Sequence, residues 1–322
     1  VSAGLALLLI GTTAGPAAAA RPGGGSWRPG APVAVVDQAS RRVLVLHGAD
    51  ELMAFHGPDH LPVVWSWTAD RDTALADLSP ARSWSSPTEA KSRVRDGRRY
   101  LLTTASGGLA AVVDLATGTP VWAVDTGPTA NPHSAELLPD GNVAVVASTG
   151  GWVRVYTASQ GPRSTDHAEY PLAGAHGVHR DARTGLLWTV GDDTLTALRV
   201  GGTAAAPVLT PERTLALPEP GGHDLAPVLA APGQFWISTA GRLWRFDPSH
   251  DRFEAVPVTP QESAREVKSV GDEPGTGRLL TTAPDHAGPC TWCTSVLTCH
   301  RPDGIRRLEG THLYKARWWT GR

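Results

Sequence analysis

The sequence predicts an all-β fold: a six-bladed β-propeller of four-stranded antiparallel blades, its ring closed by pairing the C-terminal strand with the N-terminal blade. Three observations predict it. A short marker, Lys or His followed by a small residue or Asp, recurs at Lys91, His133, His176, His223, Lys268 and Lys315, at intervals of 42, 43, 47, 45 and 47 residues. Each of the first five markers is followed by a Gly turn, an apolar strand and two further strand-like runs. No segment carries a sustained 3.6-residue apolar period with caps, so helix is expected to be scarce. Four strands per roughly 45 residues is the mark of a propeller blade rather than a helical solenoid.

The unit is clearest in NPHSAELLPDGNVAVVASTGGWVRVY, residues 131–156. Pro139, Asp140 and Gly141 supply a preset φ, a local side-chain hydrogen bond and tolerance of φ > 0, which together make a turn. Val143, Val145 and Val146 then suit a buried strand, and Trp152, Val153 and Val155 around Arg154 a half-exposed one. Equivalent second strands are Tyr100–Thr103, Leu186–Thr189, Gln234–Ile237 and Arg278–Thr281, and equivalent third strands are Ala110–Val113, Thr194–Leu198, Arg242–Phe246 and Ser295–Cys299. Fourth strands are expected at Val121–Val124, Glu169–Leu172, Thr214–Leu217, Phe253–Val258 and Ile305–Leu308.

The sixth marker, Lys315, is followed by only seven residues, too few for a blade. At the other end, Val33–Asp37, Arg42–Leu46 and Val63–Trp67 match second, third and fourth strands with no marked strand before them. Pairing Leu313–Trp319 with Val33–Asp37 makes one blade from both ends of the chain and removes two exposed sheet edges.

Residues 1–20, with the apolar run Leu5–Ile10 and the small residues Ala18–Ala20, read as a secretory signal peptide lacking its positive n-region. Residues 21–32 read as a Gly/Pro-rich flexible leader and residues 33–322 as a single domain. The protein is therefore expected to be secreted, without a membrane span, and to act as a monomer. A formal net charge of −2 excludes a strongly basic nucleic-acid binder. The long connection Ala69–Thr88, rich in Asp, Ser and Pro, is expected to lie over one face of the ring. Cys290, Cys293 and Cys299 fall within ten residues. In an exported chain a disulfide is the expected state, either Cys290–Cys293 or Cys293–Cys299; a structural zinc would need a fourth ligand.

The first strand of each blade lines the central channel, so the six markers are expected to converge on one axis. One reading pairs each cation with a carboxylate such as Glu89, Glu136, Asp181, Asp224 or Asp272, since buried charges survive only when paired. A second makes the channel mouth an anion site, with donors focused by low-dielectric walls. A third places a divalent metal on His133, His176, His179 and His223, against which the neighbouring lysines argue. His312 and Arg317 flank Lys315 and could support the site. Of the twelve Trp residues, Trp122, Trp188, Trp236 and Trp244 fall in predicted strands and are expected to be packing. Trp84, Trp152, Trp292, Trp318 and Trp319 remain open to binding. Aromatic faces beside cations are what acidic sugars require.

DLATGTPVWAVDTG, residues 114–127, resembles the repeat of the pyrroloquinoline-quinone-type propellers, over one blade. More broadly, NPHSAELLPDG, AHGVHRD, GGHDLAPV, VKSVG and YKARWW resemble a family of exported bacterial six-bladed propellers without an established activity. That resemblance implies fold and export, not reaction. The inner-strand histidines are also similar to those of oligogalacturonate lyases, whose propeller carries a His-rich manganese site; no catalytic role is carried over from them. No nucleophile elbow, P-loop, Rossmann fingerprint or HExxH motif appears. The expected function is binding of an acidic ligand, a glycan or other anion, at the Lys/His ring. A lyase or hydrolase of acidic polysaccharide and a protein-binding scaffold are the alternatives.

Overall fold

The computed structural model describes residues 1, 30–48, 63–258, 265–286, 290–301 and 303–320. All but the first residue of the expected signal peptide, and most of the expected leader, lie outside the described residues. Six four-stranded antiparallel sheets form the ring. Blade 1 adds Leu313–Trp318 on the inside of Val33–Asp37, Arg42–Leu46 and Val63–Trp67, so the chain's two ends share one sheet. The innermost strands of blades 2 to 6 are Pro87–Arg95, Pro132–Leu137, Gly177–Arg180, Asp224–Pro227 and Ser269–Asp272. The inner strand of blade 3 runs from the mouth cavity at His133 to the opposite cavity at Glu136.

Alternation of side chains along each strand gives every blade two apolar faces, and each face packs against the next blade. The six buried clusters are those interfaces. One joins Leu280 and Leu297 of blade 6 to Val35, Leu44 and Ala316 of blade 1. Another joins Val36 and Val45 to Leu101 and Val113 of blade 2. The first of these closes the ring.

Two expectations need amendment. The fourth strand of blade 4 runs Ala206–Ala216, far longer than Thr214–Leu217, and with Thr194–Thr203 forms an extended hairpin. Its tip reaches blade 3, where Asn142 Nδ2 donates to the Ala204 carbonyl at 2.8 Å. The connection 69–88 carries two 3-10 turns and a helical turn, Pro80–Ser83. It does not offer Trp84 to a ligand. That indole is fully buried, edge-on to Trp67 at 5.2 Å, and donates to the Arg41 carbonyl.

Candidate site at the channel mouth

In blades 2 and 3 the innermost strand carries the same bulge. Pro87 and Glu89 pair across to Ala105 and Thr104, leaving Thr88 unpaired, and Pro132 and Ser134 pair to Ala147 and Val146, leaving His133 unpaired. Thr88, not Lys91, is therefore the counterpart of His133. His176, His223 and Lys268 occupy that same position in blades 4 to 6, each donating its backbone N–H to the second strand just before the first ladder pair. In blade 1 the ladder shifts between Val35 and Asp37, and Tyr314 enters the mouth while Lys315 does not.

The six markers thus divide into two groups. His133, His176, His223 and Lys268, joined by Tyr314, line a mouth cavity of about 630 Å³. The imidazole centroid of His176 lies 4.4 Å from that of His133 and 4.2 Å from that of His223. The Tyr314 hydroxyl sits between His133 Nδ1, at 2.9 Å, and His223 Nε2, at 3.0 Å, donating to one ring and accepting from the other. His176 Nδ1 donates to the Gly174 carbonyl at 2.6 Å, which leaves its Nε2 as the lone-pair nitrogen of the neutral ring.

Burial pushes all three imidazoles below their ordinary range, His176 to about 4; Lys268 and Lys315 add to the effect at each ring, and neighbouring histidines add to it at His133 and His223. Burial also raises the Tyr314 hydroxyl and lowers the Lys268 ammonium. Among the described residues, none of the side chains lining this cavity is a carboxylate. Among the described residues the Lys268 ammonium has no hydrogen-bonding or ion-pair partner; the acidic group acting on it, Glu266, faces His286 at 3.4 Å.

Lys315 and Lys91 lie further along the axis and follow the pairing reading instead. Lys315 Nζ, fully buried, is 3.3 Å from Asp224 and 3.5 Å from Glu89. Arg317 binds the same two carboxylates bidentately, at 3.0 Å to each Glu89 oxygen and 2.6 Å to each Asp224 oxygen. Burial alone would raise the Glu89 and Asp224 carboxyls, but Arg317 and Lys315 outweigh it and hold both below the usual range. Lys91 Nζ donates to Ser134 Oγ and to the Val178 and Ala135 carbonyls and is 3.7 Å from Glu89; burial brings its ammonium down to about 8. This ionic layer separates the mouth from a second cavity, of about 650 Å³, at the opposite end.

His179 faces that opposite end, so the four proposed metal ligands do not converge. Its Nδ1 is 3.4 Å from Glu136, which Arg93 clamps at 2.6 Å, and its ring lies edge-on to Phe235. Among the described residues no three His, Cys, Asp or Glu side chains are arranged to hold a metal ion. His312 contributes its backbone, donating N–H to Asp37 Oδ1 and accepting from Gln38 N–H.

The candidate tryptophans sort in the same way. Trp152 is buried under Arg154, Trp318 is buried and donates to the Gly271 carbonyl, and Trp319 stacks on Trp65. Trp292 alone of the five lines the mouth. The Cys290–Cys293 disulfide brackets it, while Cys299 is buried among Leu280 and Leu297. Tyr314 is a mouth residue that sequence reading missed; the signal was Tyr beside Lys315, masked by a register taken from the lysine.

The chain belongs to DUF6528, a family of unknown function, whose sequence model matches residues 33–321. No curated protein matches the sequence. Solved structures similar to this family member include a streptogramin B lyase, at 14% identity over 69% of each chain and a TM-score of 0.48. The dihydro-heme d1 dehydrogenase NirN is similar at 14% identity over 91% of this chain and 55% of its own, with a TM-score of 0.47. A Bacteroides caccae protein of unknown function is similar at 11% identity over 88% of this chain and 94% of its own, with a TM-score of 0.49. None of these likenesses carries an argument about what this chain binds.

Proposed function

We propose that this protein is an exported propeller that binds an acidic glycan at the channel mouth, with Lys268 receiving the ligand's carboxylate. The observation that carries the reading is Lys268 itself: an ammonium without a protein partner among the described residues, in a concave cavity whose described lining residues include no carboxylate. Such a group gains a charge-assisted hydrogen bond only from something brought to it. The neutral imidazoles around it suit the hydroxyls of a sugar, each ring keeping one nitrogen that is not bonded to Tyr314 or Gly174. Export is supported by the Cys290–Cys293 disulfide, a linkage of oxidising compartments. No helix among the described residues is long and apolar enough to cross a membrane.

The test is a binding screen of acidic and neutral polysaccharides against the wild-type protein and Lys268→Met. Acidic ligands should bind and lose affinity in the variant; equal binding of neutral and acidic polymers would refute the reading.

One observation favours a second reading, a polysaccharide lyase. His176 Nε2 presents a lone pair, and a neutral imidazole beside Lys268 could remove the proton next to a carboxylate that Lys268 holds. A base whose conjugate acid lies near 4 is a weak one at neutral pH, so binding is the better-supported function. Appearance of unsaturated sugar ends in the same screen would reverse that order.

A further inference from the structure

Trp292 is 48% exposed, yet its orientation is determined. Its Nε1–H donates to Gln38 Oε1 at 3.0 Å, and Gln38 is itself held by its Nε2–H on the Pro87 carbonyl and its backbone N–H on the His312 carbonyl. The short segment that carries the indole, residues 290–294, is tied at both ends. On one side Thr294 exchanges both backbone hydrogen bonds with Leu313, the residue next to Tyr314. On the other side Cys290 is linked back to the buried Cys293 through the disulfide. The indole is thereby set on the rim of the same cavity that Lys268, Tyr314 and the three histidines line.

We propose that Trp292 is the stacking platform for a ring carried by the bound anion, and that reduction of the Cys290–Cys293 disulfide unseats it. The proposal rests on the mouth being an anion site and adds the shape of the ligand: a carboxylate attached to a ring that presents a flat face. Indole faces suit such rings because the π surface meets the C–H groups or ring plane while the polar N–H stays bonded elsewhere, here to Gln38. The loop from Cys290 to Cys293 presents the indole only while its ends are joined. A dithiol reductant transfers two electrons and two protons to the disulfide, giving two cysteine thiols and leaving the reductant as its own cyclic disulfide. The loop then remains attached through Thr294 alone of these two ties, and Trp292 loses its fixed distance from Lys268.

The experiment uses the full chain, titrated by calorimetry with a uronic-acid oligosaccharide and with acetate, before and after treatment with dithiothreitol. Trp292→Ala should weaken the oligosaccharide about ten-fold and leave acetate unchanged, since stacking is lost and charge is not. Trp292→Phe should restore most of the loss. Reduction should reproduce the effect of Trp292→Ala in the wild type and have no effect in the Trp292→Ala variant. Independently of any ligand, the indole Nε1–H resonance absent from the Trp292→Phe spectrum should shift on reduction. Oligosaccharide binding unchanged by Trp292→Ala, with acetate still bound, overturns the platform and leaves the anion site standing. An unmoved indole resonance overturns the redox coupling. Binding of neither probe overturns the anion site and the platform together.

Discussion

Tyr314 and Lys315 are neighbours in sequence but belong to separate compartments of the channel. The Tyr314 hydroxyl bridges His133 and His223 in the mouth, while Lys315 Nζ lies fully buried between Asp224 and Glu89. Successive strand side chains project oppositely, and the register shift at this point of blade 1 sets which of the two reaches the mouth. Charge in the channel is thereby split into a paired layer that holds the ring together and, at its entrance, a cation unpaired among the described residues.

The two kinds of cation should respond differently to removal. Arg317→Met leaves Glu89 and Asp224 buried with too few partners and should destabilise the fold by about 3–5 kcal/mol. Lys268→Met breaks no protein ion pair among the described residues and should leave thermal unfolding nearly unchanged. Calorimetric melting of both variants checks this; a Lys268→Met protein as unstable as Arg317→Met would place Lys268 in the paired layer.

Lys268→Met should instead weaken binding of an acidic ligand roughly 10- to 100-fold, the range for one hydrogen bond to a charged group. The salt dependence of binding should fall with it. A titration at two ionic strengths is sufficient, and an unchanged dissociation constant would count against the proposed contact.

Acid should act on stability and on binding with opposite signs. The folded-state pKa values of His133, His176 and His223 lie below the unfolded value near 6.5, so the unfolded chain binds more protons and stability falls as pH drops from about 7 towards 4. Each histidine steepens that slope by up to about 1.4 kcal/mol per pH unit. Glu89 and Asp224, depressed by Arg317 and Lys315, add loss at lower pH as they protonate. A bound anion raises the histidine pKa values, so affinity should increase as pH falls towards 4. A sulfonated probe, which stays ionised there, separates the protein's titration from the ligand's. Affinity that is flat between pH 7 and 4 would show that the imidazoles do not face the anion.

Ring closure predicts a further outcome. A chain ending at His312 lacks the inner strand of blade 1 and with it Tyr314, Lys315, Ala316 and Arg317. It leaves the Val33–Asp37 edge unpaired and removes blade 1's contact with the ionic layer. Such a protein should be insoluble or melt far below the full chain; a soluble truncation with the wild-type melting temperature would contradict closure through this strand.

The blade count, the four strands of each blade and the shared first blade were legible in the sequence, because a blade cannot bury its faces alone and so must repeat at a readable period. The pairing of Leu313–Trp318 with Val33–Asp37 followed from the same requirement, since an unclosed ring leaves two edges. The position of a side chain along the axis was not legible. A spacing of 42 residues between Lys91 and His133 looks like one repeat, but Thr88 is the bulged counterpart of His133, and Lys91 lies three residues further along the channel. A one-residue offset likewise exchanged Tyr314 for Lys315. Periodicity reports which strand a residue is on; bulges, visible only in the ladder, decide its height and face. The tryptophans show the same division. Composition marked five as open to binding, and only tertiary packing separated the buried Trp84, Trp152 and Trp318 and the stacked Trp319 from Trp292 at the mouth. Aromatic side chains serve a core and a ligand equally well, and burial, which depends on residues distant in the chain, determines which.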